Sequence, residues 1–243
     1  MMMQERTYKD AEGAILFDAA VSPQVGHSWF SPDYWRERGA LRTQAGGRGG
    51  VAIVAAPIGE CVLRHYRRGG LVAALMGDRY LWIGADQTRP FKEFRLLAEI
   101  TRLGLPGPTV MAARYCRRGP IYSADLLTRR IADAQTLAEC LAAERLDGEL
   151  AEEVGALVAR FHRAGVWHAD LNAHNVLVTS DELYLIDFDR GRVRTPAIGW
   201  QQANLRRLRR SLRKLGAASQ GETAFEETIW QPLLYRYQRT MDA

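Results

Sequence analysis

Short apolar runs closed by turn residues dominate the first half of the chain, and stripes at helical spacing dominate the second. Leu41-Arg-Thr-Gln-Ala45, Val51-Ala-Ile-Val-Ala-Ala56 and Cys61-Val-Leu-Arg-His-Tyr66 read as three antiparallel strands. Gly46-Gly-Arg-Gly-Gly50 separates the first two, and Pro57-Ile-Gly59 turns the chain into the third. Pro90 to Leu103 predicts a helix, with proline at its start, Gly104 after its end and Pro106 just beyond. On that helix Glu93 shares a face with Leu97 and Ile100, so it points into the protein, whereas Glu99 falls with Lys92, Arg95 and Arg102 on a charged face. Thr109–Tyr115 is strand-like, and Ile121–Ile131 follows it, where the boundary between the two lobes falls. Residues up to about Ala40 read as a poorly patterned lead-in that carries the aromatics Trp29-Phe30 and Tyr34-Trp35.

In the second half, Ala134–Ala143 is helical, and Asp147 caps a further helix striped by Leu150, Val154, Leu157 and Phe161 and closed by Gly165. Val176-Leu-Val178 and Leu183-Tyr-Leu-Ile186 form a hairpin turning at Ser180-Asp181. Asn204 to Leu215 is a helix with a narrow stripe of Leu205, Leu208, Leu212 and Leu215. Arg206, Arg207, Arg209, Arg210, Arg213 and Lys214 cover the rest of it. The pattern predicts an α+β protein of two lobes: a small antiparallel-sheet lobe over 1–130 with one key helix, and a larger, mainly helical lobe over 131–243.

Candidate chemistry sits around the hairpin. His168-Ala-Asp170-Leu-Asn-Ala-His-Asn175 precedes it and Asp187-Phe-Asp189 follows it, which is the ordering of the catalytic half of a protein-kinase-like phosphotransferase. Such chemistry needs one carboxylate to orient an acceptor hydroxyl and take its proton; it also needs an amide oxygen and a second carboxylate to hold Mg²⁺ against the ATP phosphates. Asp170 suits the first role, and His168 is a second catalytic candidate beside it. Asn175 and Asp187 suit the second, and the hairpin brings them together at one end. The glycine turn, Gly46-Gly47-Arg48-Gly49, would let backbone N–H groups approach phosphates closely. Arg64 on the third strand and Glu93 on the helix supply the expected cation–carboxylate pair, and backbone near Leu127–Ile131 is placed to meet adenine.

Bulk composition narrows the partners. The chain has 243 residues, 47% hydrophobic, and no apolar run near the ~20 residues that span a bilayer. Its amino-terminal ten residues are polar and charged, unlike a secretory signal. Three scattered cysteines, Cys61, Cys116 and Cys140, make a disulfide framework or a zinc site an unsuitable reading. A net charge of +5, almost all arginine, suits an anionic partner: nucleic acid, an acidic membrane surface or a phosphorylated substrate.

With those residues in view, the chain resembles the 3-deoxy-D-manno-octulosonic acid (Kdo) kinase family, lipopolysaccharide-core sugar kinases of the protein-kinase-like fold. The likeness spans almost the whole chain. It is carried by Trp29-Phe30-x-Pro32-x-Tyr34-Trp35, Gly46-Gly-Arg-Gly49, Val62 to Gly70, Thr88-Arg89-x-Phe91-x-Glu93-Phe94 and Asp187-Phe-Asp-Arg190. The resemblance implies ATP- and Mg²⁺-dependent phosphorylation of the 4-hydroxyl of Kdo on Kdo-lipid IVA. It further implies that the enzyme works as a peripheral protein at the cytoplasmic face of the bacterial inner membrane, with Asp170 catalytic and an anionic membrane surface, not nucleic acid, as partner.

The chain departs from protein kinases in three ways. Arg64 replaces the usual lysine, with a broader planar fork for the phosphates. Asp189 replaces the glycine after Asp-Phe, which argues against a flipping activation segment. No Ala-Pro-Glu or peptide-binding element follows, which favours a non-protein acceptor. Competing readings are a core-sugar (heptose) kinase, a small-molecule kinase of the aminoglycoside or choline type, and an inactive kinase fold that only binds. A basic surface opposes cationic acceptors, and the intact Asp170, Asn175 and Asp187 oppose an inactive fold.

Overall fold

The computed structural model describes residues 3–20, 25–43, 51–67 and 78–243. The expected glycine turn, Gly46-Gly47-Arg48-Gly49, lies outside the described residues. The chain divides into two compact units, Met1–Ala98 with Pro108–Arg130, and Glu99–Gly107 with Ile131–Ala243. The α+β class expected from the sequence is the one observed.

The first unit is an antiparallel sheet with helices. In chain order it contains β1 (Glu5–Lys9), β2 (Gly13–Asp18), a 3₁₀ turn (His27–Phe30) and α1 (Pro32–Glu37). These are followed by β3 (Leu41–Thr43), β4 (Val51–Ala56), β5 (Gly59–His65), β6 (Tyr80–Leu81), α2 (Arg89–Arg102), β7 (Val110–Arg118) and β8 (Ile121–Arg129). The strand order is β1-β2-β7-β8-β5-β4-β3, with β6 on the other end of β8. The lead-in, poorly patterned in the sequence, nevertheless supplies two strands and part of the core. Ala14, Ile15 and Leu16 are fully buried, and β2 pairs with β7, about a hundred positions later, placing Ile15 opposite Arg114. Strand β1 is exposed along its length, so it carries no apolar alternation to betray it.

The aromatics of the lead-in are core residues. Trp29, Phe30 and Trp35 pack with Ile15, Val54, Cys61, Leu63, Met111 and Leu127. The indole Nε1 of Trp35 donates to the Trp29 carbonyl at 2.7 Å, which satisfies the buried donor. All three cysteines are free.

The second unit holds β9 (Gln135–Thr136), α3 (Leu137–Ala142), α4 (Gly148–Arg163) and β10 (Val166–Trp167). A 3₁₀ turn (Ala173–Asn175) leads to β11 (Val176–Val178), β12 (Leu183–Leu185) and β13 (Arg192–Val193). Then come α5 (Ile198–Lys214), α6 (Glu222–Phe225), a π-helical turn (Glu226–Trp230) and α7 (Gln231–Asp242). Thr136 and Glu139 form a reciprocal capping box on α3, and the Asp147 carboxylate accepts from the Leu150 amide at 2.9 Å to cap α4. Val154, Leu157 and Phe161 of α4 are buried. Helix α7 runs against α4 so closely that a Cβ on Gly155 would stand 2.2 Å from the Leu233 carbonyl oxygen; only glycine fits there. Residues 99–107 join this unit because the Leu185 amide bonds the Pro106 carbonyl at 3.0 Å and Gly107 lies against Phe188.

Candidate active site

Strand β10 delivers the chain to His168, and a tight turn makes that possible: Gly165 sits at φ +73° with its carbonyl 2.7 Å from the Arg194 amide. His168 is 2% exposed. Its Nε2 meets the Ile186 carbonyl at 2.9 Å and its Nδ1 meets the Asp170 amide at 3.1 Å. A carbonyl only accepts and an amide N–H only donates, so the ring is neutral with its proton on Nε2. Burial pushes its pKa down, in the same sense. His168 thus touches the loop and not open space: it ties Asp170 to the end of β12.

The backbone carbonyl of Asp170 receives two side-chain amides, Nδ2 of Asn172 and Nδ2 of Asn175, each at 2.9 Å. Asn172 also accepts from the His174 amide at 2.9 Å and so caps the 3₁₀ turn. With its nitrogen committed to the loop, Asn175 has Oδ1 as the atom that could meet a cation. The hairpin β11–β12 has the register Val176↔Leu185, and the Ile186 amide bonds the Asn175 carbonyl at 3.0 Å. That rung places Asp187 one residue beyond Asn175's backbone partner. Asp187 adopts φ +62°, a left-handed conformation uncommon for a non-glycine residue and often found at functional sites. Phe188 behind it is fully buried, stacked on Phe161 at 5.6 Å and tilted against His168 at 5.0 Å. One amide oxygen and one carboxylate fit a magnesium ion, which takes few protein ligands and completes its shell with water and phosphate. No group of three or more His, Cys, Asp or Glu suited to a metal exists among the described residues.

Helix α5 differs from the expected basic surface. It begins six residues earlier than the leucine stripe suggested, at Ile198, and the stripe ends at Leu212, since Leu215 is 40% exposed. Three of its cationic side chains are engaged within the unit. Arg209 binds Glu222 at 2.9 Å and also Glu226, Arg213 binds Glu222 at 3.0 Å, and Arg207 binds Asp170 at 2.5 Å. Arg206, Arg210 and Lys214 are exposed. On the buried face of the helix, His162 lies between Tyr237, at 2.9 Å from Nδ1, and Asn204, at 3.4 Å from Nε2. Burial holds its pKa down at about 4.

In the first unit, Arg64 of β5 and Glu93 of α2 form the expected pair at 2.5 Å, with Glu93 3% exposed. Sequence reasoning missed the third member. Tyr66 donates its hydroxyl to the same Glu93 oxygen, and the Arg64 guanidinium lies 4.7 Å over its ring. Burial and the Glu93 charge hold the Tyr66 hydroxyl well above its ordinary pKa, so it remains a donor. A second unforeseen group is Asp125, which takes Arg114 through Nε and Nη2 at 2.9 and 2.8 Å and His65 Nδ1 at 2.7 Å. Asp78 holds the other His65 nitrogen at 2.7 Å. Carboxylates only accept, so His65 carries both protons; the Asp125 hydrogen bond leads in raising its pKa. The backbone expected to meet adenine is partly committed to the sheet, because the Arg129 and Arg130 amides bond Thr109 and Glu60 carbonyls at 2.8 and 2.9 Å.

Comparisons with known proteins agree with one another. Residues 32–237 match the model of the lipopolysaccharide kinase (Kdo/WaaP) family. A 3-deoxy-D-manno-octulosonic acid kinase of Xanthomonas axonopodis pv. citri (strain 306) is 51% identical over 84% of this chain and 81% of its own. Enzymes of the same name from Xylella fastidiosa (strain M12) and Stenotrophomonas maltophilia (strain R551-3) are 47% and 48% identical, over 84% and 88% of this chain and 82% and 84% of theirs. Among solved structures, WaaP in complex with acyl carrier protein is similar in fold, with a TM-score of 0.53 and 18% identity over 82% of this chain and 78% of that one.

Proposed function

The chain belongs to the lipopolysaccharide kinase (Kdo/WaaP) family, and from that premise we propose that it transfers the γ-phosphoryl group of ATP to the 4-hydroxyl of Kdo on Kdo-lipid IVA during lipopolysaccharide core synthesis. The observation that carries this reading is the Asp170 loop. Its backbone carbonyl is gripped by two amides and its own amide by His168, which leaves the carboxylate projecting with its side chain 57% exposed.

In the proposed reaction Asp170 accepts a hydrogen bond from the sugar hydroxyl, fixes its direction, and takes its proton as the oxygen–phosphorus bond forms and the bond to ADP breaks. His168 acts through Asp170 as a positioning residue. Asn175 and Asp187 would hold Mg²⁺, and Arg64, oriented by Glu93 and Tyr66, would hold nucleotide phosphates together with the Gly46–Gly49 turn. Magnesium-ATP, when bound, supplies the phosphoryl group and offsets the charge that develops on it. Arginines suit an acceptor that carries the Kdo carboxylate and lipid phosphates. No helix of the described residues is long and apolar enough to cross a membrane. We place the enzyme peripherally at the cytoplasmic face of the inner membrane, where a lipid-anchored acceptor is presented.

Incubation with Mg-ATP and Kdo-lipid IVA, a heptose-terminated core or an aminoglycoside, followed by mass spectrometry of the acceptors, tests the reading. Phosphate should appear on the Kdo unit. Transfer confined to another acceptor, or ATP turnover indifferent to all three, would remove it.

A further inference from the structure

The segment from His168 to Asn175 contains no lysine or arginine, although phosphoryl transfer to a sugar concentrates negative charge at that place. A cation arrives from elsewhere in the chain. Arg207, thirty-seven residues downstream on α5, donates from Nη1 to Asp170 Oδ1 at 2.5 Å. Both side chains are at least half exposed, 50% and 57%, and an exposed ion pair contributes little to stability. What the contact does fix is one oxygen of the carboxylate, Oδ1.

The same face of α5 grips the loop at two further points. Asn204 Nδ2 donates to the His168 carbonyl at 2.9 Å, and the Ala173 amide donates to Ser211 Oγ at 3.2 Å. Positions 204, 207, 208 and 211 share one helical face by their spacing of three and four. Leu208 is fully buried and Asn204 is 3% exposed, so the face is anchored. Asn204 is itself held by His162, which ties the brace to α4. The guanidinium therefore starts from a fixed backbone at both ends of the loop it serves.

We infer that Arg207 is the positioning residue of Asp170: it occupies Oδ1 and so presents Oδ2 to the acceptor hydroxyl. The inference rests on the proposed role of Asp170. Without Arg207 the carboxylate rotates about its two side-chain torsions, and either oxygen, or neither, faces the hydroxyl. A planar, permanently charged guanidinium suits this task better than the flexible ammonium of lysine. The contact uses one N–H of Arg207 and leaves its charge beside the reacting oxygen.

A double-mutant cycle on the full-length protein tests this, with Mg-ATP and Kdo-lipid IVA in single-turnover conditions. Arg207→Met should lower the transfer rate by roughly 10²-fold, the scale of a misplaced reacting group. Its KM for ATP should stay within about threefold, since the Arg64 pair is untouched. Arg207→Lys should recover part of the loss. In an Asp170→Asn background, Arg207→Met should cost less than about threefold, because the group it positions is gone. Thermal midpoints of all variants identify any that fail to fold, in which case Arg207→Gln replaces Arg207→Met. An equal loss in both backgrounds overturns the inference, for Arg207 would then act independently of Asp170. Full activity of Arg207→Met does the same. If Asp170→Asn itself transfers phosphate like the wild type, the functional reading fails first and takes this one with it.

Discussion

Nδ1 of His168 accepts the backbone amide of Asp170 at 3.1 Å, so the proposed catalytic carboxylate is held by a histidine two positions before it. The separate roles proposed for Asp170 and Asp187 set different expectations for their removal. Asp170→Ala should leave the thermal midpoint nearly unchanged and reduce turnover by about 10²–10⁴-fold, the range for a positioned proton acceptor. Asp187→Ala should instead weaken Mg-ATP binding, measured by calorimetry. Near-normal turnover of Asp170→Ala would mean that the loop has been assigned wrongly.

Arg64, Glu93 and Tyr66 form one hydrogen-bonded group, with Glu93 and Tyr66 buried and Arg64 half-buried. Arg64→Ala should raise the KM for ATP more than the KM for the sugar acceptor, by about 10- to 10²-fold if one charge-assisted contact of about 1.5–3 kcal/mol is lost. Glu93→Gln should have a similar but smaller effect, because Tyr66 retains an oxygen to bond. Initial-rate kinetics with each substrate varied in turn would show the split. A larger effect on the acceptor would reassign Arg64.

His162 makes stability depend on pH in the acid range. The unfolded chain binds a proton near the usual 6.5, whereas the folded chain resists until about 4, so stability is lost as pH falls between those values. At 1.36 kcal/mol per pKa unit the contribution is about 3 kcal/mol at most. His65 has the opposite sign: its raised pKa stabilises the fold fully below 6.5 and fades as pH rises through the folded value. Thermal melts from pH 4 to 8 should show His162→Gln with a flatter acid limb than the wild type. An unchanged limb would place the acid sensitivity elsewhere.

Gly155→Ala tests the closest helix contact. A methyl group 2.2 Å from the Leu233 carbonyl oxygen forces α4 and α7 apart. Overpacking costs roughly 1–3 kcal/mol, opposed by a helix-propensity gain of about 1 kcal/mol. Chemical denaturation should report a net loss. A gain would show that the two helices separate at little cost.

Membrane attraction is best sought at the exposed Arg206, Arg210 and Lys214, since Arg207, Arg209 and Arg213 have carboxylate partners. Each basic residue near an anionic leaflet contributes about 1 kcal/mol. Replacing the three by glutamine should lower vesicle binding and activity on vesicle-borne Kdo-lipid while sparing a soluble Kdo analogue, with the difference vanishing at high salt. Equal losses on both acceptors would bring these residues into the sugar site.

The residues of the hairpin and its flanks were legible in the sequence because their chemistry is local: Asn175, Asp187 and the turn between them follow from spacing along one short stretch. Glu93 was distinguishable from Glu99 for a similar reason, as helical periodicity assigns a face before any partner is known. Strand β1 and the burial of Trp29 and Trp35 were not legible, since β1 shows no apolar alternation and its support comes through β2 from β7, a hundred positions away. Arg207 is the sharpest case. Its surroundings, Arg-Arg-Leu-Arg-Arg, carry only a period and a charge, and periodicity distinguishes buried from exposed without saying which exposed arginine faces a carboxylate. That choice needs the contacts of Asn204 and Ser211 with the loop, and it is tertiary packing that sets one guanidinium against Asp170 and two of its neighbours against Glu222.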